Sequence, residues 1–210
     1  MATTLPAVDP KHVFVNCPFD KKYKPLFDAI VFTVHDLGFQ ARHALIDDGE
    51  AVRLTRIAKE LAGSKYSIHD LSRVEVGGAL KVPRFNMPFE AGIAYCRHQF
   101  AGAGDEHHVL LLDSVQYRYQ ASLSDAAGLD PKVHNSDPEL VVGNVRTFLV
   151  RKSGEGGPGA AYIWKRYGLF LARLPDAARS QHITMGELRS WDYAKDLQAM
   201  MAAWILSNPP

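Results

Sequence analysis

The segment His12–Asp20, HVFVNCPFD, decides the fold because it joins a short apolar run to a polar turn. The run is rich in β-branched and aromatic side chains, which is typical of a buried strand, and Pro18 ends it. After the turn, apolar residues recur at intervals of three and four from Tyr23 to Leu37, and Gly38 comes next. This spacing predicts an amphipathic helix that Gly38 terminates.

The same alternation of strand and helix continues along the chain. Each strand pattern is short and apolar, and each helix pattern has a glycine near its end or a capping residue near its start. Asn86 is a candidate cap for the third helix. The predicted elements are, in order, a strand at Phe39–Ala44, a helix over Val52–Leu61, a strand at Tyr66–Leu71, a helix from Met87 or Pro88, and a strand at His108–Asp113.

This order predicts an α/β fold with a parallel sheet covered by helices on both faces, because right-handed crossovers join successive parallel strands. Ligands of such sheets bind at the carboxyl ends of the strands. We therefore expect an α/β domain over residues 10–115.

Residues 116–210 have a different pattern and are expected to form a helical extension packed on the α/β domain. Helices are predicted over Pro138–Arg151, Ala160–Leu174 and Glu187–Leu206, with a break at Pro175. The last two carry many Trp, Met and Leu residues. Two explanations remain open for this apolar surface: it packs on the sheet domain, or it forms a homodimer interface.

Composition excludes several classes of protein. Lysine and arginine number 24 against 23 acidic residues, a net charge of +1, so there is no global field to hold a nucleic acid or an anionic membrane. No window reaches the roughly 18 apolar residues of a membrane span, and no leader pattern is visible. Cys17 and Cys96 lack the CxxC spacing of a zinc site, and we expect reduced thiols in a cytoplasmic protein.

The nine histidines predict no metal site, because no H-x-x-x-H or H-E-x-x-H spacing places two of them on one helix face. No P-loop motif occurs, and the glycine-rich segment GEGGPG at 154–159 is neither preceded by a predicted strand nor followed by a lysine-serine pair, so it does not predict a phosphate-binding loop. Arginines near the crevice are candidates for phosphate contacts, although scattered, solvated arginines are the more usual outcome. They are Arg42, Arg53, Arg56, Arg73 and Arg84.

Polar residues fall at the junctions where predicted strands and helices meet. Glu90 is the sharpest candidate, because Ala91 and Gly92 are small enough to let its helix approach the sheet. A carboxylate there suits attack on an anomeric carbon, or stabilisation of the oxocarbenium ion formed when an N-glycosidic bond breaks. The groups are Asn16 with Pro18, Phe19 and Asp20; Asp70 with Ser72; Glu90; and Asp113.

Each acid also has a simpler explanation. Glu90 at a helix start complements the positive end of the helix dipole, and Asp70 with Ser72 at a strand end makes a turn. Two acids at successive strand–helix junctions nevertheless match what a cleaved sugar needs, a nucleophile and a partner for a hydroxyl or a proton. If both lie at one edge of the sheet, they are close enough to share a ligand.

Four segments in this order resemble the nucleoside 2-deoxyribosyltransferases and the related TIR-like nucleotide-processing domains. These families share a flavodoxin-like parallel sheet, which the resemblance therefore implies for this chain. The match covers about residues 10–115. The segments are VFVNCPFD at 13–20, SKYSIHDLS at 64–72, RFNMPFEAGIAY at 84–95 and HHVLLLD at 107–113.

The resemblance implies roles for particular residues. In the deoxyribosyltransferases a Pro-Phe loop lines the pocket, a later strand ends in an aspartate, and the glutamate of an E-x-G-x-A segment is the nucleophile. The matching residues here are Pro18 with Phe19, Asp70 and Glu90. This chain has Phe85–Pro88 where those enzymes usually carry a Gly-Thr pair, and it lacks the Ser-rich approach to the glutamate found in TIR domains.

The expected function is cleavage or transfer at the N-glycosidic bond of a nucleoside, nucleotide or NAD, by a homodimer with no cofactor and no metal. NAD enters as a possible substrate, because the TIR resemblance implies cleavage of its nicotinamide–ribose bond. The alternative is a non-catalytic, TIR-like nucleotide-sensing module in bacterial defence. The expected catalytic residues are Glu90 and Asp70, and the expected substrate-binding residues are Asn16, Pro18, Phe19, Ser72, Asn86 and Asp113.

Overall fold

The structure is a computed structural model of the chain. The structure does not describe the candidate phosphate-binding residue Arg84. It also does not describe Val52, at which the second helix is predicted to begin. The described residues are 6–45, 53–73, 76–77, 82–83, 85–121, 123 and 129–210.

A five-stranded parallel sheet forms the first part of the fold. Its strand order is β2-β1-β3-β6-β7, which is the flavodoxin order 2-1-3-4-5 when the strands of the sheet are counted along the chain. The predicted flavodoxin-like α/β fold with C-terminal helices is thereby confirmed. The strands are β1 (Asp9–Asn16), β2 (Gln40–Arg42), β3 (Ser64–Asp70), β6 (His108–Asp113) and β7 (Lys132–Val133), and a separate antiparallel pair joins β4 (Val76–Gly77) to β5 (Val82–Pro83).

The register of the sheet brings the polar strand ends to one edge. Asn16 pairs with His69, and Asp70 pairs with Leu112, so β1, β3 and β6 end next to one another. Successive side chains of a strand point to opposite faces of the sheet. Asn16 and His69 therefore share one face, and Asp70 points to the other.

The helices largely agree with the predicted pattern. Gly38, with φ of +79°, lies just beyond the first helix as the sequence predicts. Phe85, rather than Asn86, occupies the cap position of the third helix, and the exposed Asn86 is its first residue. The helices are α1 (Lys24–Asp36), α2 (Arg53–Gly63), α3 (Asn86–Phe100), α4 (Pro138–Ser153), α5 (Ala160–Ser180), α6 (Met185–Leu188) and α7 (Ala194–Ser207), with a 3-10 turn at Arg118–Ala121.

Two predictions about the C-terminal helices are wrong. Helix α5 continues through Pro175, because Leu174 and Ala178 on either side of it are both buried and hold the two halves of the helix in the core. The segment predicted as one helix over Glu187–Leu206 is two helices. The first is a single turn closed by a capping box between Thr184 and Glu187.

Contacts group the chain into two compact units. The first unit is Met1–Pro18 with Gln40–Asn135, and the second is Phe19–Phe39 with Ser136–Pro210. Helix α1 is thus grouped with the C-terminal helices, although it connects two strands of the sheet. This grouping differs from the division at residues 10–115 and 116–210 drawn from the sequence.

In the first unit, α2 and α3 cover the face of the sheet that carries Phe14. Phe14, Ile57, Leu61 and Ala94 form a buried apolar cluster there. Packing of both helices on this face fixes the position of α3, and with it the position of Glu90.

In the second unit, the ring of Phe32 on α1 contacts the rings of Tyr167, Phe170 and Trp204. Much of the apolar surface of the C-terminal helices is therefore used within this unit. Other side chains of α5 remain exposed, among them Leu169 at 52%.

A buried ion pair lies beside this aromatic cluster. Arg166 donates from Nε and Nη2 to the carboxylate of Asp36, at 2.8 to 3.1 Å, and from Nη2 to the backbone oxygen of Asn208 at 2.6 Å. Both charged side chains are almost fully buried. The guanidinium thus ties α1 and α5 to the end of α7.

No helix in the described part of the chain is both long and apolar enough to cross a membrane. The two cysteines are not joined by a disulfide. Cys17 is buried after β1, and Cys96 is exposed on α3.

Replacing Arg166 by Met is expected to lower the free energy of unfolding by about 3–5 kcal/mol, because the carboxylate of Asp36 would stay buried without its counter-charge. Urea denaturation of the purified protein measures this change. The matched control is Arg179→Ala, which removes an exposed pair with Asp176 and should change stability by less than about 0.5 kcal/mol. Equal effects of the two substitutions would contradict the expectation that losing the partner of a buried carboxylate costs more than losing the partner of an exposed one.

Candidate functional site

Glu90 is held by Asn16 at the carboxyl edge of the sheet. Asn16 Nδ2 donates to Glu90 Oε2 at 2.8 Å and lies 3.2 Å from His69 Nδ1. All three side chains are buried, with Glu90 only 5% exposed. The group joins β1, β3 and α3, and we call it the Glu90 site.

The hydrogen-bonding roles in the Glu90 site are fixed by its geometry. An ionised carboxylate only accepts, so the Asn16 atom facing Glu90 must be the amide nitrogen. His69 Nδ1 faces the same nitrogen and must therefore also accept. Burial lowers the pKa of His69 to about 3, so the ring is neutral and carries its proton on Nε2.

Two polar atoms of the Glu90 site have no hydrogen-bond partner among the described residues. They are Asn16 Oδ1, an acceptor, and His69 Nε2, which is a donor in the tautomer just assigned. Leaving a buried polar atom unsatisfied costs about 1–3 kcal/mol. A ligand with a hydroxyl group could satisfy either atom.

Burial raises the pKa of Glu90 above its ordinary value of 4.5. The hydrogen bond from Asn16 and the positive charge of Arg53 offset part of this rise. Arg53 is thus a candidate phosphate-binding arginine whose charge acts on Glu90. Another candidate, Arg42, instead makes a two-pronged ion pair with Glu60 at 3.0 Å.

Asp70 and Ser72 belong to a second group, together with His134. Asp70 Oδ1 accepts from the backbone N–H of Ser72 at 2.7 Å, and Asp70 Oδ2 lies 2.9 Å from His134 Nε2. Ser72 Oγ lies 3.0 Å from the same nitrogen. The group fixes the turn at the end of β3.

This Ser–His–Asp group lacks the geometry of a catalytic triad. In a triad the serine and the aspartate bind different ring nitrogens, so that the histidine takes a proton from one side and is held from the other. Here Asp70 and Ser72 both bind Nε2 of His134.

The structure does not unite the two predicted catalytic acids in one hydrogen-bonded group. Both belong to the carboxyl edge, but Asp70 points to the face opposite the one shared by Asn16 and His69. Glu90 binds Asn16, whereas Asp70 binds His134 and Ser72. The expectation that they share one ligand is not supported by this arrangement.

The other candidates are dispersed. Asp113 ends β6 and forms an ion pair with Arg118, and burial raises the pKa of Asp113. Pro18 is buried after β1. Phe19 belongs to the second unit, where its ring packs edge-on against Trp191 at 5.1 Å.

Sequence reasoning missed His69, His134 and Arg118. His69 had a usable signal, because it immediately precedes Asp70 in a buried strand, where a polar side chain needs a partner. His134 had none, since it lies in a short segment far along the chain. Within the described residues, no three His, Cys, Asp or Glu side chains converge as a metal-binding group.

Comparison with known proteins adds no assignment. No protein-family model matches the chain, and neither a curated protein nor a solved structure matches it. The function must therefore be argued from the site itself.

Replacing Glu90 by Gln is expected to stabilise the protein at neutral pH relative to the wild type. A carboxyl group whose pKa is raised by folding favours the folded state below its ordinary pKa, and this contribution is lost as the pH rises through the folded-state pKa. The variant lacks the cost of a buried charge. Melting temperatures from pH 4 to pH 8 should therefore show a gap that opens as the pH rises.

The control for this experiment is Glu106→Gln. Glu106 is exposed, and its hydrogen bond from the backbone N–H of Gly104 lowers its pKa. Its contribution has the opposite sign, so the variant should be slightly less stable at neutral pH, with a gap that closes as the pH falls. A Glu90→Gln gap that is independent of pH would contradict the assigned burial of the charge.

Proposed function

We propose that the chain is an enzyme that cleaves or transfers at the N-glycosidic bond of a nucleoside, nucleotide or NAD, with Glu90 as the nucleophile. The observation that carries the proposal is a buried carboxylate, oriented by one amide, at the carboxyl edge of a flavodoxin-like sheet. Ligands of such sheets bind at this edge. The resemblance of about residues 10–115 to the deoxyribosyltransferases and TIR-like domains supports the same reaction class.

In the proposed reaction, a carboxylate oxygen of Glu90 attacks C1′ of the sugar. The bond between C1′ and the base nitrogen breaks, and the base leaves with the electron pair and takes up a proton. The resulting glycosyl ester is resolved by water, or by a second base, which displaces the carboxylate. Because Oε2 accepts from Asn16, we assign the attack to Oε1.

The two unsatisfied atoms of the Glu90 site support a sugar as the reacting group. Asn16 Oδ1 is an acceptor and His69 Nε2 is a donor, and a hydroxyl group, which both donates and accepts, can pair with either atom. Arg53 adds positive charge near the carboxylate, which suits a phosphorylated ligand. We assign Asp70 to shaping the end of β3, because its carboxylate is engaged by Ser72 and His134.

Glu90→Gln is expected to lower turnover at least about a hundredfold, because the amide is a poor nucleophile of the same shape. Incubation with NAD and a panel of nucleosides, followed by chromatography of the free base, measures turnover. The matched control is Glu139→Gln on α4, an exposed glutamate that should leave turnover unchanged. Unchanged turnover in Glu90→Gln would sink the assignment of the nucleophile.

The alternative function is a module that senses a nucleotide without cleaving it. The burial of Glu90, which is only 5% exposed, favours this alternative, since a nucleophile must reach C1′ of the sugar. Binding of a nucleotide with no release of base across pH 5–9 would select the sensing function. Release of base that increases as the pH rises through the pKa of Glu90 would select catalysis.

We also propose that the protein is cytoplasmic and forms a homodimer through α5. Support for the location is that the two cysteines form no disulfide. Support for the dimer is an exposed apolar stripe on α5, where Tyr162 and Leu169 lie seven residues apart and hence on one side of the helix. Trp204 is less suited to the interface, because it packs on Phe32 and Phe170.

Leu169→Glu is expected to dissociate the dimer without unfolding the chain, since it places a charge in the apolar contact but touches no buried cluster. Light scattering at micromolar concentration measures the mass, and circular dichroism reports the fold. The matched control is Leu140→Glu on α4, which changes an exposed leucine outside the stripe and should leave the mass unchanged. A wild-type mass equal to one chain refutes the dimer.

A further inference from the structure

A cavity of about 510 Å³ lies in the first unit between α3, β6 and the 3-10 turn. Its floor is apolar and consists of Leu71, Ala91 and Tyr119, which belong to a buried cluster, with Leu111 of β6 beside them. This volume is within the usual range of small-molecule pockets, roughly 300–1,000 Å³. We call it the α3 cavity.

The rim of the α3 cavity is polar. Tyr95, His98 and Gln99 line it and are exposed. His98 Nδ1 donates to the backbone oxygen of His107 at 2.5 Å, which leaves Nε2 of the neutral ring as an acceptor. An apolar floor with donors and acceptors around its opening suits a ligand that has flat apolar faces and a polar edge.

The cavity exists because α3 carries small side chains where it passes over β6. Gly92 lines the cavity, and a Cβ built on it would meet no atom within 4 Å. Its backbone is helical and has no positive φ, so neither conformation nor close packing requires glycine there. Glycine within a helix costs about 0.5–1 kcal/mol relative to alanine. A larger side chain at Gly92 would therefore enter the cavity without a clash at its Cβ.

The α3 cavity is next to the Glu90 site. Ala91, on its floor, is the residue after Glu90 on α3, and successive helix residues point about 100° apart. Ala94, one turn after Glu90, packs into the cluster that contains Phe14 of β1. Glu90 therefore lies between the apolar cluster on the β1 side and the α3 cavity on the β6 side.

We propose that the α3 cavity binds the base of the nucleoside or nucleotide whose sugar reacts at Glu90; this inference rests on the proposed function. A heteroaromatic base has two apolar faces, which Ala91, Leu71 and Tyr119 can cover, and an edge of hydrogen-bonding groups, which the polar rim can meet. Ala91 lines the cavity and directly follows Glu90 on α3, and this adjacency connects a base bound in the cavity with the carboxylate.

The test blocks the cavity without touching the carboxylate. Gly92→Leu adds a side chain where there is open space and removes the helix penalty of glycine, so the variant should be at least as stable as the wild type. The matched control is Gly168→Leu on α5, where a Cβ also meets nothing within 4 Å. Binding of the fluorescent probe 2-aminopurine riboside, and of free adenine and nicotinamide, is measured by titration.

We expect Gly92→Leu to weaken binding of the probe at least tenfold, whereas Gly168→Leu binds it like the wild type. Where turnover is present, Gly92→Leu should raise KM with less effect on kcat. Wild-type affinity in Gly92→Leu overturns the α3 cavity as the base site. If none of the three ring compounds binds to the wild type, the assignment of the α3 cavity as the base site is also wrong. The same holds if decanoate, a fatty acid without a ring, displaces the probe and neither adenine nor nicotinamide does.

These outcomes separate the cavity from the proposed function. Base release that is lost in Glu90→Gln but unaffected in Gly92→Leu refutes only the cavity. Probe binding that is lost in Gly92→Leu, in a protein that releases no base from any substrate, refutes only the enzyme.

Discussion

The side-chain amide of Asn16 faces two hydrogen-bond acceptors, and the arrangement of the Glu90 site depends on it. It donates to Glu90 and lies within reach of His69 Nδ1, so it links the ends of β1 and β3 to the first turns of α3. Because both neighbours accept, the amide can take only one orientation. Its oxygen and His69 Nε2 are then the two polar atoms left for a ligand.

Burial of Glu90 disfavours the ionised carboxylate, which its proposed role as a nucleophile requires. Packing of α3 on the sheet removes the carboxylate from water and raises its pKa, while a nucleophile must be ionised. The hydrogen bond from Asn16 and the charge of Arg53 both favour the ionised form. The buried charge is a cost to the stability of the protein, which its proposed role as a nucleophile would explain.

The pleat of the sheet separates the two acids that the sequence brought together. Neighbouring residues of a strand point to opposite faces, so His69 joins Asn16 and Glu90, while Asp70 joins Ser72 and His134. The second group is fully hydrogen-bonded and buried, which suits a turn that must be rigid. The α3 cavity adds an apolar space that begins at Ala91, the residue after Glu90. No Asp, Glu, Lys or Arg is among the described residues that line it.

By itself, the sequence determined the fold class and the types of β1, β2, β3, β6 and α1 to α3, because hydrophobic periodicity is a local property. The spacing from Tyr23 to Leu37 and the run His108–Asp113 required no knowledge of their partners. The short strands β4, β5 and β7 carry no such pattern and were not predicted. The sequence also singled out Glu90 and Asn16. Only the tertiary structure decided what they contact. Packing between distant segments brings Asn16 to Glu90, which lies 74 residues away in the chain. It also puts His69, and not Asp70, beside Asn16, and it carries α5 through Pro175. No local pattern encodes such packing.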